Sequence, residues 1–427
     1  MEFVISDTDS NWIEKNLLYL IKTTGFPFLE GVQFQLNEQY FPKTISTKNL
    51  EVECLISDIS KLLSIDEYRI KYEVVKDLRD TFSTPFEIQG KTFESDTQIV
   101  AKNQYVIYIS NSLIQRPNRL ICSIIVEFLK IKLLENEVSF ENRTDIDVFL
   151  FLVGLFFGFG VILTQKRIDI GYLNSGFWES KWTYRSEMPD NLIVYAFGIY
   201  KKIFTHKNAD WIDKLPSEIK KNIEQADKYI SKRDSFKFSY KELKYSSLLT
   251  IAEKEKKNKN YSLYIEKSQE LIELIDNNTV KAKTYNNIGY YQIFIGQIEE
   301  SILSLKQSLL LDSNSGYAND NLAYALIIKG ELDECFKYLE KAIQTGNNNI
   351  GYSARNFAVY FLKKGDLENA KKYFEIAFNN NTIPIDFIEF HFSEYLFKTN
   401  NYENAMKYLD IAVNKGELIA INWKNEL

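Results

Sequence analysis

A phrase repeated along the second half of the chain limits the possible fold more than any other feature. From about residue 245 onward the copies NNIGYYQIFIGQIEESILSLKQSL, DNLAYALIIKGELDECFKYLEKAI, RNFAVYFLKKGDLENAKKYFEIAF and HFSEYLFKTNNYENAMKYLDIAV follow one another. Their turn residues Gly296, Gly330, Gly365 and Asn400 are spaced 34, 35 and 35 apart. Self-similarity at such a period means a stack of like units, none able to bury its apolar face alone. Seven residues before each turn stands a small residue, Gly289, Ala323, Ala358 or Ser393, preceded by bulky Ile288, Leu322, Phe357 or Phe392. After the turn Ser301, Cys335, Ala370 and Ala405 recur, and seven residues later Ser308, Ala342, Ala377 and Ala412. Small side chains at helical spacing mark where two helices of a unit, or helices of adjacent units, cross closely.

These copies resemble the tetratricopeptide repeat family. A degenerate copy around Ile251, Ala252, Lys259, Tyr261 and Leu271 brings the expected number to about five. The resemblance implies an all-α solenoid over residues 241–427, whose first helices line a concave groove that in other members commonly takes an extended peptide or a helix. Asn287, Asn321 and Asn356 fall at the groove-side position where such proteins often hold a peptide backbone through a side-chain amide, although Asn is also simply common there. Tyr290, Tyr324 and Arg355 complete the expected partner-binding set. A carboxylate clamp would need cations beside them, for which only Lys283 and Arg355 are candidates.

Residues 1–240 read as a mixed α+β domain. Strands are predicted at 31–36, 68–75, 97–101 and 103–109, where β-branched and aromatic residues concentrate. Helices are predicted at 11–23, 47–64, 117–135, 142–165, 188–204 and 217–233, where apolar residues recur at three and four. The run IYISNSLIQRPNRLICSIIVEFLKIKLL, with EQYFPKTIS before it and DVFLFLVGLFFGFGVILTQ after it, resembles a bacterial family with a zincin-like domain ahead of tetratricopeptide repeats. In that family the corresponding helix carries H-E-[LF]-[AG]-H. Glu127 matches the general-base glutamate, while Val126 and Lys130 stand where the two histidines belong. The acidic ligand of the later helix, before Gly158-Phe159-Gly160, falls near the apolar Leu150 and Phe151, with Asp145 and Asp147 close enough for a gap to restore one. Without imidazoles such a site holds no Zn²⁺, and Glu127 has no metal-bound water to activate. Beside this decayed site stands the simpler reading, a glutamate paired with Lys130 or Lys132 in an unrelated α+β domain.

The bulk numbers narrow the function further. A net charge of −6 with interleaved Lys and Asp/Glu leaves no basic stripe for nucleic acid. Cys54, Cys122 and Cys335 are scattered among apolar residues and read as buried thiols of a reducing compartment. MEFVISDTDSNW lacks a basic region followed by an apolar run, so a cytoplasmic protein is expected, and the resemblance to the zincin-like family implies a bacterial one. Only His206 and His391 could serve as imidazole bases or ligands, and neither has plausible ligands beside it in sequence. No phosphate-cradling loop, dinucleotide fingerprint, C-x-x-C pair or nucleophile elbow occurs.

Two stretches leave alternatives open. The 16 uncharged residues 148–163 contain Gly154 and Gly158 in a G-x-x-x-G pattern; they fall short of the about 20 needed to span a bilayer, so a buried central helix is expected rather than a membrane segment. The aromatic-rich 171–191 reads as a loop, either tacked onto the core or forming a contact patch. Segment 231–246 looks like a helical junction. The expectation is a non-catalytic adaptor that binds a protein partner without cofactor or metal, behind a pseudoenzyme domain. The alternatives are a hydrolase using Glu127 in an atypical site, or an immunity-type protein that neutralises a toxin.

Overall fold

The computed structural model describes residues 3–25, 31–76, 94–140, 143–174, 179–185, 188–204, 209–233, 239–346, 348–380 and 384–427. Two compact units divide at Ser247/Leu248.

The first unit opens with α1 (Asp7–Thr24), whose N-cap Ser6 hydroxyl accepts from the Asp9 amide. Short α2 (Pro42–Ser46) and α3 (Val52–Leu63) follow. The strands β1 (Ile70–Val75), β2 (Ser95–Ala101) and β3 (Gln104–Ser110) form one mixed sheet in the order β1-β3-β2, with β1 parallel and β2 antiparallel to β3. From β3 the chain passes through α4 (Asn111–Ile114) into α5 (Pro117–Glu135), whose Pro117 sits in the first turn, where its missing N–H costs nothing. Then come α6 (Ile146–Phe156), α7 (Gly160–Gln165), a hairpin of β4 (Ile168–Asn174) and β5 (Glu179–Arg185), α8 (Asp190–Ile203) and α9 (Ser217–Ser231). Ile124, Leu129, Phe149, Leu152, Phe159 and Phe197 of α5 to α8 form the centre of a single core, each fully buried.

Several expectations need correction. Residues 31–36 form no strand. Their alternation serves instead to fasten the chain onto the break between α6 and α7: the Phe34 amide donates to Gly158 O at 2.6 Å and Gln33 Nε2 to Leu155 O at 2.9 Å. That break divides the single helix expected over 142–165. Gly158 adopts φ +88°, a left-handed conformation that ends α6, and the Phe159 amide closes the cap on Gly154 O at 2.8 Å. Gly154 has the other role of a helical glycine: a Cβ there would stand 2.3 Å from Leu163 Cδ1. The G-x-x-x-G pattern therefore packs α6 against its neighbours through its first glycine and turns the chain through its second. Part of the loop expected at 171–191 is a hairpin, with Gly171 opposite Trp182. Cys122 and Cys335 are buried as expected, but Cys54, at the edge of α3, is only half-buried. Among the described residues no helix is long and apolar enough to cross a membrane.

Helix α10 (Tyr240–Lys257) contains the division between the units, and of the junction expected over 231–246 residues 234–238 lie outside the described part. The second unit continues with α11 (Tyr261–Ile272), then the pairs α12 (Asn278–Phe294) and α13 (Ile298–Leu311), α14 (Gly316–Lys329) and α15 (Leu332–Thr345), α16 (Ile350–Lys364) and α17 (Leu367–Asn379), α18 (Ile388–Lys398) and α19 (Tyr402–Asn414), and last α20 (Leu418–Glu426). The recurrent turn has one geometry throughout. Gly296, Gly330, Gly365 and Asn400 all have positive φ, between 57° and 92°, and so does Lys259 of the degenerate copy. After each, the next amide donates five residues back at 2.9 Å: Asn260 to Glu255, Gln297 to Gln292, Glu331 to Leu326, Asp366 to Phe361 and Asn401 to Leu396. This is the six-to-one closure that satisfies a helix's last carbonyls. The small recurrent residues are the buried ones: Ser301, Cys335, Ala370, Ala405, Ser308, Ala342, Ala377 and Ala412 are at most 1% exposed. Where the copy has serine instead of alanine, its hydroxyl answers a carbonyl of the facing helix, Ser301 to Gly289 O at 2.7 Å and Ser308 to Ala282 O at 2.8 Å.

Candidate functional site

Glu127 is the residue the sequence singles out in the first unit. Helix α5 turns it toward β2, where Ser95 and Thr97, two residues apart, project from the same face of the strand. Their hydroxyls donate to Oε1 at 2.8 Å and Oε2 at 2.7 Å, and Lys130 Nζ donates to both oxygens at 3.0 Å. Lys130 thus sets a cation against the glutamate, and only 2% of Glu127 is exposed. Of the pairings read from the sequence, Glu127 makes the one with Lys130; Lys132 Nζ instead donates to Leu63 O. Asp145 is held by Trp12 Nε1 at 2.7 Å and by Arg143. Burial raises its pKa, but the hydrogen bonds from Arg143 and Trp12 outweigh that and bring it below the usual carboxylate range. Among the described residues no group of three or more His, Cys, Asp or Glu is arranged to hold a metal ion. His206 lies outside the described residues.

The expected partner-binding residues all lie on α12, α14 and α16, the first helices of their pairs, but in different states. Asn287 is exposed, and Asn321 is half-buried, donating to Asn286 Oδ1 at 2.9 Å. Asn356 is closed off: it is 1% exposed and its amide donates to Asp320 O at 3.0 Å and Oδ1 at 2.9 Å. Lys283 is exposed, whereas Arg355 is 1% exposed and its guanidinium lies 3.9 Å from the centre of the Tyr324 ring. A clamp of Lys283 with Arg355 therefore does not form on an open surface.

Arg355, Tyr290 and Tyr324 instead meet a segment of this same chain. The connection between α17 and α18, residues 380–387, is twice as long as 312–315 and 346–349, which join the preceding pairs. Because the turn spacing stays at 35, the extra residues come out of α18, which has 11 residues where α14 and α16 have 14 and 15. The connection lays Asp386 among the tyrosines: Tyr352 Oη donates to its carboxylate at 2.7 Å, as does Tyr290 Oη. Arg355 donates to the Asp386 carbonyl at 2.8 Å. The Phe387 ring packs tilted against Phe294 and Tyr324, with centroids 4.7 Å and 5.7 Å away. Ile385 presses on Gly351, where any Cβ would meet Ile385 Cδ1 at 2.6 Å. Burial, with Asp386 beside it, pushes the Tyr290 phenol well above its ordinary pKa, so it is a donor here.

A buried relay continues from Tyr324. Burial pushes His391 down, aided by the Arg355 and Lys363 charges, so the ring is neutral. Burial would raise Glu394, but His391 and Lys363 lower it to about 2. An ionised carboxylate only accepts, so His391 Nδ1–H donates to Glu394 at 2.5 Å and the Tyr324 hydroxyl donates to Nε2 at 2.8 Å. Phe387 has φ +62°, unusual for a bulky residue. Its amide donates to Glu417 Oε1 at 2.8 Å, while Glu417 Oε2 has no partner among the described residues. Burial lifts Glu417 to about 7.

Asp386, Phe387 and Glu417 lie outside the recurrent positions, and the lengthened connection was the available signal for them; Tyr352 falls one repeat after Tyr317 and was within reach of the pattern.

A tetratricopeptide-repeat family model matches residues 282–315 and 317–345. Those spans coincide with α12–α13 and α14–α15, so this chain carries tetratricopeptide repeats. Solved structures similar to it include two titled as MamA, 19% and 20% identical, each covering 40% of this chain and 92% and 96% of their own, with TM-scores of 0.29 and 0.28. A third, the APC/C hetero-tetramer Cut9-Hcn1, is 13% identical and covers 53% of this chain and 47% of that one, with a TM-score of 0.29. No curated protein matches the chain.

Proposed function

We propose that this protein is a non-catalytic adaptor whose repeat unit binds a partner polypeptide along the face formed by α12, α14 and α16, and whose first unit is a zincin-like domain that has lost its metal ligands. The observation that carries the binding reading is the stack itself. The two matched tetratricopeptide pairs and the like pair that follows them set polar and aromatic side chains from three successive first helices, with Asn287 and Asn321 open enough to meet a peptide backbone. The pseudoenzyme reading rests on Glu127, which sits on the helix that follows the mixed sheet and spends both oxygens on Ser95, Thr97 and Lys130.

The test is a quantitative pull-down with tagged full-length protein and its Asn287→Ala/Asn321→Ala variant. One protein retained near stoichiometry by the wild type and lost by the variant, with both melting alike, is the expected result. Equal retention by both would move the binding surface away from this face. Tyr324 and Asn356 are poor choices for that comparison, because at 2% and 1% exposure their truncation would damage the core.

A further inference from the structure

Three successive first helices already hold a peptide, and it is the chain's own. Tyr290 and Phe294 come from α12, Tyr324 from α14, and Gly351, Tyr352 and Arg355 from α16; together they grip Ile385, Asp386 and Phe387. The grip has the parts expected of peptide recognition. Two hydroxyls take a carboxylate, a guanidinium takes the main-chain carbonyl of the same residue, and two rings receive the aromatic that follows. We propose that Ile385-Asp386-Phe387 is an internal ligand of the partner-binding face, and that the partner presents an acidic residue followed by an aromatic one, which displaces it. This rests on the reading that the face binds a polypeptide and specifies what that polypeptide must carry.

Three features suit the segment to release. Pro384 is exposed and Asp386 half-buried, so a competitor can reach the edge of the site. Phe387 holds a left-handed backbone that its side chain disfavours. Its amide is held by Glu417, a buried carboxylate with one oxygen unpartnered among the described residues, and Arg355 Nε is likewise buried without a partner among them. An incoming chain that supplies a carboxylate, an aromatic ring and a further acceptor for Arg355 loses nothing the internal ligand offers.

Complementation in trans tests the proposal. A fluorescein-labelled peptide of residues 384–389, Pro-Ile-Asp-Phe-Ile-Glu, is titrated with the full-length chain and with its Asp386→Ala/Phe387→Ala variant, reading anisotropy. The variant is expected to bind the peptide about tenfold more tightly than the wild type, because the competing internal segment is gone, and a peptide with alanine in place of its aspartate is expected to lose that gain. Equal, weak binding by wild type and variant, with unchanged far-ultraviolet dichroism, would overturn the proposal. If the double variant does not fold, Asp386→Asn, which keeps the shape of the side chain, carries the same comparison with a smaller gain. Failure here leaves the adaptor reading standing, since that is read separately from partner capture by Asn287→Ala/Asn321→Ala.

Discussion

Glu127 in the first unit and Glu417 in the second are both buried carboxylates, 2% and 4% exposed, with opposite surroundings. Two hydroxyls and a lysine donate to both oxygens of Glu127. Glu417 receives one backbone N–H, and Lys415, whose charge acts on it, is bonded to Glu389 instead. A buried charge met on every side is a structural fastening. One left half-answered is a liability, and it falls on the segment proposed above to be displaced. The difference locates change in the molecule: none is to be sought at Glu127, and the region from Asp386 to Glu417 is where it belongs.

The largest effect tests the closed side of that comparison. Glu127→Ala leaves the Lys130 ammonium and two hydroxyls facing a cavity, which should cost about 3–5 kcal/mol. Urea unfolding followed by tryptophan fluorescence suits the measurement, since four of the 5 tryptophans, Trp12, Trp178, Trp182 and Trp211, precede the division between the units. A loss under about 1 kcal/mol would mean that this cluster fastens little.

Next in size is the open side. Burial raises Glu417 from 4.5 to about 7, with Glu389 and Asp386 adding to the rise and the Phe387 amide and Lys415 opposing it. A carboxyl whose pKa is higher folded than unfolded binds more protons when folded, so its contribution is fully present below pH 4.5 and is lost as pH rises through 7. Glu417→Gln mimics the protonated form and keeps an acceptor for the Phe387 amide. The variant should match the wild type below about pH 4 and exceed it by on the order of 2–3 kcal/mol at pH 8. A pH-independent difference between the two would place the titrating group elsewhere.

The contrast between the units also sets what the sequence could disclose. In the repeat unit the residues that decide the fold are local and recur, so Gly330, Ala323 and Cys335 mark a turn, a helix crossing and a buried position in the sequence itself. In the first unit the deciding contacts span long separations. Gln33 reaching Leu155, and Phe34 reaching Gly158, turned an alternating stretch into a tether, and no local pattern contains that information. The candidate face was legible as far as periodicity runs, hence Asn287 and Asn321. The internal ligand was not, because Asp386 finds Tyr290 across 96 residues from a connection outside the repeat.

A third measurement asks how far the averaged copy can be trusted. Alanine occupies the position of Gly289 in the next two copies, as Ala323 and Ala358, and helix propensity favours it by about 1 kcal/mol. The packing opposes it: a Cβ on Gly289 would stand 2.5 Å from Leu305 Cγ and 3.1 Å from Ser301 O. Because Leu305 is fully buried and the near atom is its branch point, the clash outweighs the propensity. Gly289→Ala should therefore destabilise by about 1 kcal/mol net, read from thermal unfolding by circular dichroism. A stabilised variant would show that the copies are more interchangeable than their contacts indicate.

The smallest effect concerns the turn of the last pair. Gly296, Gly330 and Gly365 reach positive φ freely, whereas Asn400 does so at 57° with a side chain, and it accepts from the Tyr402 hydroxyl at 2.9 Å. Asparagine tolerates this region better than other side chains, and the Tyr402 bond is exposed, so little is lost with it. Asn400→Gly removes the steric cost of the left-handed backbone but adds freedom to the unfolded chain. The two terms nearly cancel, leaving a gain of about 0.5 kcal/mol at most. Asn400→Ala keeps the steric cost, lacks asparagine's tolerance and should lose about 1 kcal/mol. The ordering Gly, Asn, Ala in melting temperature would show that backbone conformation at this position, rather than the amide, is what the repeat requires; an Ala variant as stable as the Gly variant would show that the turn is not held left-handed.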